Sequence, residues 1–311
     1  MSSTTPFESH RSQAWKPNRS LNQWMQRSVV FILGVFAFVS VLTTFGIVAT
    51  LLLDALPLFE EVPFVDFLTD TEWTPLFVDP QFGIFVLVSA TVLTSFIAIL
   101  IAVPLGLLSA ICLSEYAPRK LRRWLKPALE ILAGVPSVVY GYFALLFVTP
   151  LLENFLPVQP FNSLSAGLVM GIAILPLVAS LSEDAIYAVP SSLRQGAYAV
   201  GATKREVVTG VVLPGALSGI VASVVLAISR AVGETMIVTV AAGQNPTLTL
   251  NPFVPVATMT AFIVQVSLGD APVGSLAYRT LYAVGLTLFL ITLALNVFSF
   301  WFVRRFRQKY E

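Results

Sequence analysis

The residues with the clearest chemical potential lie inside an apolar run. Arg230 and Glu234 stand four residues apart, a spacing that places two side chains on one face of a helix. An ionisable side chain at membrane depth costs at least about 2.5 kcal/mol, so it usually faces the protein interior and marks a pathway. The arginine fork of N–H donors fits phosphate or carboxylate oxygens. The two residues therefore predict either an oxyanion path or an ion pair that only fixes helix rotation.

The neighbouring positions indicate how this helix is placed. Ser229 and Thr235 flank the charged residues and are further candidates for the path. Small residues recur every four positions before them, namely Gly215, Gly219, Ser223, Ala227 and Ala231. Such a stripe allows a second helix to approach closely, so we expect the charged residues beside it to face the protein interior.

The composition assigns the chain to the membrane proteins. Its 311 residues are 56% hydrophobic and 11% charged, whereas soluble domains carry about 25% charged residues. The single cysteine, Cys112, and the single histidine, His10, exclude a disulfide framework within the chain and a histidine metal cluster. Cys112 is expected to be a small buried side chain. The net charge of +1, sorted by region, provides no basic face for nucleic acid.

Six apolar runs are long enough to cross the hydrocarbon core, which takes about 20 helical residues. They are residues 29–53, 83–113, 128–151, 164–182, 215–241 and 280–303. Sixteen of the 18 basic residues fall in segments 11–27, 119–126, 194–205 and 304–309, and the other two are Arg230 and Arg279. Because Lys and Arg concentrate on the cytoplasmic side, the sequence predicts an all-α, multi-pass protein of the cytoplasmic (inner) membrane, in contact with lipid and with both termini cytoplasmic.

The same pattern divides the chain into segments. We predict a disordered polar cytoplasmic tail over 1–28, a membrane domain over 29–303 and a cytoplasmic tail over 304–311. Segments 54–82 and 244–279 are expected to be external. Within the second, the apolar stretch 253–268 is short and contains Pro255, so it predicts an interfacial or re-entrant helix.

The external segment 54–82 combines carboxylates with aromatic residues. The aromatic residues are Phe59, Phe64, Phe67, Trp73 and Phe77. Such a mixture suits a docking surface for a soluble partner. An interfacial cap that touches only lipid headgroups is the alternative.

The cytoplasmic segment 184–214 is long for a simple turn and contains several helix signals. Pro190, followed by two serines, starts a helix, and Gly201 ends it in the left-handed conformation. Thr203 and Glu206 have the spacing of a capping box that opens a second helix. Pro214 is expected to break that helix before the membrane. The segment predicts a helix-turn-helix along the cytoplasmic face.

This segment resembles the EAA loop of ABC importer permeases, whose pattern is Glu-Ala-Ala, three residues, Gly, nine residues and Ile-x-Leu-Pro. The matching positions are Gln195, Gly196, Ala197, Gly201, Val211, Leu213 and Pro214. Gln195, Gly196 and Val211 depart from the pattern, and the first departure removes one acidic contact. The resemblance implies that the loop docks on an ATP-hydrolysing subunit and transmits its motion.

Further segments resemble the PstC-like permease subunits of phosphate-specific (Pst) ABC importers. They are residues 229–235, the run 134–141 with Ser137 and Tyr140, Glu115 to Pro118, and residues 71–73. The match covers nearly the whole chain after residue 28. It implies a type I importer permease fold and a phosphate path that includes Arg230 and Glu234. Gly134, Pro136 and Gly141 are expected to permit bending or close helix approach.

The resemblance also implies an assembly. The partners would be a PstA-like second permease subunit, two PstB-like ATPases that bind ATP and Mg²⁺, and a PstS-like periplasmic phosphate-binding protein. This chain lacks a G-x-x-x-x-G-K-[ST] loop, so we expect no ATPase activity and no cofactor in the chain itself. A permease for another oxyanion, such as molybdate or sulfate, stays open, and so does an ion-coupled secondary transporter.

Overall fold

The computed structural model describes residues 19–306, which are almost entirely helical. The long helices are α1 (Arg19–Glu61), α3 (Ile84–Ile111), α7 (Ser163–Tyr187), α10 (Leu213–Val232) and α13 (Leu276–Phe306). The short helices are α2 (Phe64–Thr69), α4 (Arg119–Gly134), α5 (Ser137–Phe143), α6 (Thr149–Glu153), α8 (Ser191–Ala199), α9 (Lys204–Val207), α11 (Met236–Ala241) and α12 (Met259–Gln265). Five helices are long and apolar enough to cross a membrane, and the count is six if a bent pair of helices forms one span. The predicted all-α, multi-pass fold is therefore confirmed, with five or six spans.

The first helix is longer than its apolar run. Residues 19–28, predicted as part of a disordered tail, and residues 54–61, predicted as external, both belong to α1. Residues 1–18 and 307–311, which include His10 and most of the C-terminal tail, lie outside the described residues. The chain divides at Thr50 into two compact units, the first ending there and the second beginning at Leu51.

The third predicted span, 128–151, is a bent pair rather than one helix. The axes of α4 and of the helical run Ser137–Glu153 meet at 91°. The bend falls at Val135 and Pro136, where proline lacks the N–H that a continuous helix needs. The predicted bending at residues 134–136 is confirmed. The basic residues of 119–126, predicted as a loop, lie on α4.

The fifth predicted span, 215–241, has different ends in the structure. The helix that contains α10 is continuous from Lys204 to Val232, so Pro214 does not break it. A π-helical turn over Val208–Val212 directly precedes α10, and Pro214 lies in the first turn of α10. The C-terminal part of the predicted span is the separate helix α11.

The membrane helices α3, α7 and α10 pack closely through small residues. A Cβ added at Gly167 on α7 would lie 2.7 Å from the Ile97 side chain on α3. A Cβ added at Gly219 on α10 would lie 2.4 Å from Ala185 on α7. Ser182 and Ser223 form a buried hydrogen bond of 2.8 Å between their hydroxyls, which also joins α7 to α10. The small-residue stripe on α10 therefore packs against α7, as predicted.

Several aromatic side chains between α1 and α3 are buried, although they were expected on a docking surface. Trp73 is 0% and Phe67 3% exposed. The Trp73 ring packs edge-to-face on Phe262 of α12, with ring centroids 5.1 Å apart. Phe64 and Phe77 remain exposed. Helix α12 thus packs in the protein core, which favours a re-entrant helix over an interfacial one.

Cys112 also differs from its expected placement. It lies in the π-helical turn Cys112–Tyr116 that ends the second span, and it is exposed in the chain. The prediction of a buried thiol is wrong because an apolar run defines the length of a span and leaves open which of its faces is covered.

Candidate functional site

The last turn of α10 carries Arg230, but Glu234 does not share its helix face. Helix α10 ends at Val232, and residues 233–235 form a non-helical break before α11. The carboxylates that form ion pairs among the described residues are Glu183, Glu115 and Glu61, and no pair joins Arg230 to Glu234. The prediction of a charge pair on one helix face is therefore wrong, because the helix ends between the two residues.

A cavity of about 220 Å³ lies beside Arg230. Its polar lining consists of Arg230 from α10, Lys126 and Glu130 from α4, and Ser180 and Glu183 from α7. Leucine, alanine and proline side chains supply the rest of the wall. A concave, mostly apolar space with a few convergent polar groups is the usual setting of a small-ligand site. The tertiary structure thus brings Arg230 to the same cavity as charged residues that lie far from it in sequence.

Glu183 is the most buried charged residue at this cavity, with 2% of its surface exposed. Its Oε1 accepts a hydrogen bond from Arg122, and its Oε2 lies 3.4 Å from the Lys126 ammonium. Both cations lie on α4, so the three residues join α4 to α7. Glu183 was not among the predicted residues, because the fourth predicted span ends at residue 182, whereas α7 continues to Tyr187. The sequence signal that could have found Glu183 is its position directly after an apolar run.

Glu234 has a local structural role at the break. Its backbone carbonyl accepts a 2.8 Å hydrogen bond from the Thr260 hydroxyl. One carboxylate oxygen lies 3.5 Å from the Ile237 N–H in the first turn of α11. Glu234 is half-buried and does not line the cavity. It therefore supports the break and the start of α11.

Ser229 and Thr235 are also directed away from the cavity. The Ser229 hydroxyl makes a long 3.5 Å contact with the Asn296 side-chain oxygen on α13. The Thr235 hydroxyl donates to the carbonyl of Gly233 at 3.3 Å. Of the four residues predicted in segment 229–235, only Arg230 lines the cavity.

Ser137 and Tyr140 lie at the bend that follows α4. Ser137 begins α5, and the Tyr140 hydroxyl donates a 2.7 Å hydrogen bond to the Leu132 carbonyl near the end of α4. A Cβ at Gly141 would lie 2.9 Å from Val240 of α11, which confirms the close approach predicted there. Tyr140 therefore stabilises the bend beside the cavity, and neither Ser137 nor Tyr140 lines the cavity.

Segment 184–214 forms the predicted helix-turn-helix. Pro190 precedes α8, and Gly201 adopts a φ of +88° after its end. The Ala202 N–H donates to the Ala197 carbonyl and the Gly201 N–H donates to the Tyr198 carbonyl, at 3.2 and 3.0 Å. These two bonds form a Schellman motif, which requires a left-handed residue at Gly201. The turn is therefore defined by local backbone geometry, as the sequence predicts.

The predicted capping box opens α9. The Glu206 N–H donates to the Thr203 hydroxyl, and the Thr203 N–H donates to the Glu206 carboxylate at 2.7 Å. The Glu206 carboxylate accepts hydrogen bonds from the Thr203 N–H and from the Thr203 hydroxyl. These bonds, the backbone one most strongly, hold the pKa of the exposed Glu206 carboxyl below its ordinary value. The carboxylate stays ionised at neutral pH and keeps the start of α9 ordered.

Two side chains attach this segment to the ends of the membrane helices. The Arg194 guanidinium donates to the carbonyls of Ile186 and Val189 at the end of α7, at 2.7 and 2.9 Å, and pairs with Glu115 at 3.2 Å. The Lys204 ammonium lies 4.9 Å from the centre of the Tyr116 ring. Glu115 and Tyr116 end the second span, so this segment contacts the ends of both the second span and α7.

The outer surface of α8 is open to a partner. No residue of α8 is buried, and the apolar side chains Leu193, Tyr198 and Val200 are exposed. Among the positions that match the EAA pattern, Gln195, Gly196 and Pro214 are exposed, while Ala197 and Leu213 pack partly on the core. The helix thus presents both polar and apolar groups at the surface.

Comparison with protein families and curated proteins gives consistent matches. Residues 102–311 match the family described as binding-protein-dependent transport system inner membrane component. The phosphate transport system permease protein PstC of Mesorhizobium japonicum is 40% identical over 248 residues, covering 73% of this chain and 74% of that protein. PstC of Haemophilus influenzae is 36% identical and covers 78% and 82%. The probable ABC transporter permease protein YqgH of Bacillus subtilis is 35% identical and covers 73% and 74%.

Solved structures share the fold at lower identity. A bacterial alginate ABC transporter, solved with its pentasaccharide-bound periplasmic protein, has a TM-score of 0.64 at 16% identity and covers 93% of this chain and 99% of its own. The MetNI methionine ABC transporter, solved in inward-facing conformations, has a TM-score of 0.56 at 19% identity and covers 73% and 95%. These similarities support the importer permease fold.

Proposed function

Because the chain belongs to the family of binding-protein-dependent transport system inner membrane components, we propose that it is the permease subunit of an ABC importer that carries inorganic phosphate across the cytoplasmic membrane. The PstC proteins that match 73% or more of the chain carry this proposal. They favour phosphate over molybdate or sulfate. Reconstitution of the complex, followed by uptake of radiolabelled phosphate with and without ATP, tests the function. Uptake that does not depend on ATP would contradict it.

The similarity to importer permeases supports a proposed assembly. The importer consists of this chain, a PstA-like permease subunit and two PstB-like ATPases that bind ATP and Mg²⁺, with a PstS-like protein that delivers phosphate from outside. The cavity beside Arg230 is part of the phosphate path at the level where α4, α7 and α10 meet. Arg230 supplies N–H donors for phosphate oxygens. A cavity that binds phosphate only moderately tightly allows the ion to be released.

The exposed helix α8 docks on the ATPase. A short helix that is bonded at both flanks moves as a rigid body, whereas a flexible loop would absorb the displacement. The Schellman turn at Gly201 and the Arg194 contacts fix α8 to the membrane helices. Closure of the ATPase dimer is thereby transmitted to α3 and α7. Helix α7 lines the cavity, and α3 packs against α7.

We predict that Arg194→Gln lowers the amount of phosphate transported per ATP hydrolysed. The change removes the ion pair to Glu115 and weakens the bonds to the α7 carbonyls. A loss of roughly tenfold corresponds to about 1.4 kcal/mol of coupling free energy. Uptake and ATP hydrolysis are measured on the same proteoliposomes. Lys120→Gln, which removes one exposed cation from α4, is the matched control, and an equal loss in both variants would contradict the role of Arg194.

We predict that Asp66 is external and that Gln308, which lies outside the described residues, is cytoplasmic. The one-sided distribution of Lys and Arg is the reason. Single cysteines at the two positions are introduced into a Cys112→Ser background, because Cys112 is exposed. An impermeant thiol reagent should label Asp66→Cys on intact cells and Gln308→Cys only after permeabilisation. Labelling of position 308 on intact cells would contradict the topology.

A further inference from the structure

Glu183 is distinguished from its charged neighbours by its burial. It is 2% exposed, whereas the side chains of Arg122 and Lys126 are 36% and 41% exposed. A buried carboxylate stays ionised only when its oxygens are paired. Arg122 holds Oε1 and Lys126 approaches Oε2. The conduction of an anion does not by itself require a buried carboxylate at this place.

The two cations that pair with Glu183 differ in their surroundings. Arg122 does not line the cavity, and its guanidinium also lies 5.8 Å from the centre of the Tyr187 ring. Lys126 lines the cavity together with Arg230. Its 3.4 Å separation from Glu183 exceeds the about 2.7–2.9 Å of a charge-assisted hydrogen bond. Arg122 is therefore the fixed partner of Glu183, and Lys126 is shared between Glu183 and the cavity.

The charges around the cavity are balanced when it is empty. Lys126 and Arg230 oppose Glu130 and Glu183. A phosphate ion that binds between the two cations must compete with Glu183 for Lys126. The carboxylate thus weakens the hold on the anion, and a transported ion must be bound weakly enough to leave.

We propose that Glu183 is the resident counter-anion of the phosphate path. It pairs with Lys126 when the cavity is empty, yields Lys126 when phosphate arrives, and keeps the affinity of the cavity low enough for release. This inference rests on the proposed function. It assigns to Glu183 a role in setting release, beyond holding α4 against α7.

The test compares two variants that break the same ion pair. Equilibrium binding of radiolabelled inorganic phosphate is measured on the assembled importer in nanodiscs of zwitterionic lipid, without ATP. Glu183→Gln should bind phosphate more tightly, on the order of tenfold, because one negative charge is removed beside the site. Its uptake rate should fall because release is slowed. Lys126→Gln should bind phosphate more weakly by a similar factor.

A pair that serves only to hold α4 against α7 predicts the same direction of change in both variants. That outcome, or unchanged phosphate affinity in Glu183→Gln, would overturn the proposal. If Glu183→Gln does not assemble, the double variant Arg122→Gln/Glu183→Gln replaces the buried pair by two neutral side chains, which is far less costly than removing one partner. It still frees Lys126, so the assembled double variant should also bind phosphate more tightly, and unchanged affinity there would contradict the role.

Uptake by the wild-type importer is measured in parallel. If the wild-type complex carries no phosphate, the proposed function is wrong. If the wild-type complex carries phosphate and the Glu183 variants do not bind it more tightly, only the counter-anion role is wrong.

Discussion

Replacement of Arg230 by glutamine is expected to reduce ATP-driven phosphate uptake by more than about tenfold, since a hydrogen bond to a charged group contributes about 1.5–3 kcal/mol. Assembly with the ATPase should be retained, because Arg230 is exposed in the chain and forms none of the ion pairs among the described residues. Glutamine keeps a similar side-chain length while removing the charge. Uptake and the yield of purified complex are measured together.

Arg279→Gln is the matched control for this prediction. Arg279 pairs with Glu61 at 3.1 Å, and the two side chains are 35% and 55% exposed. Such surface pairs contribute about 0–1 kcal/mol, so this variant should transport normally. Normal uptake by an assembled Arg230→Gln complex would remove Arg230 from the path.

The structure also changes the expected behaviour of Glu234. Since Arg230 and Glu234 form no pair, Arg230→Gln leaves no buried partner stranded. The effects of Arg230→Gln and Glu234→Gln on uptake are therefore expected to combine independently in the double variant. A double variant that restores normal uptake would indicate a purely structural pair and would exclude a path role for both residues.

The second large effect is expected at Gly201, where valine should weaken the coupling between the permease and the ATPase. Gly201 has a φ of +88°, and an L-residue in this region costs about 1–2 kcal/mol. Among the residues that the structure describes, no atom beyond the two chain neighbours of Gly201 lies within 4 Å of an added Cβ, so the cost comes from the backbone and not from a clash with surrounding side chains. A penalty of this size shifts the equilibrium of the turn by a factor of roughly 5 to 30, and uptake and stimulated ATPase activity should fall together.

Gly201→Asn supplies the control for the turn. Asparagine adopts the left-handed conformation more readily than other L-residues, so this variant should retain most of the coupling. If valine and asparagine behave alike, the backbone conformation of Gly201 does not limit coupling. If valine has no effect, the proposed rigid connection through this turn is wrong.

Features that depend on neighbouring residues were predictable from the sequence. The turn at Gly201 and the capping box of Thr203 and Glu206 are made by hydrogen bonds between residues only a few positions apart. The number of spans was predictable too, because hydrocarbon thickness requires a minimum length of apolar helix. The C-terminal end of α7 was predicted five residues short, at residue 182 and not at Tyr187, since an apolar run ends at its first charges while a helix continues through them.

The environment of Arg230 was determined only by the tertiary structure. Arginine within an apolar run predicted a functional residue, but its partner in sequence, Glu234, is separated from it by the end of α10. Its neighbours in space come from α4 and α7, and the contact between Arg122 and Glu183 spans 61 residues. The sequence alone determined the spans, the local caps and the identity of the charged residue, because these follow from local hydrogen bonding and hydrophobicity. The packing of α4 across α7 and α10 decided which charges surround the cavity, because long-range packing sets which side chains meet.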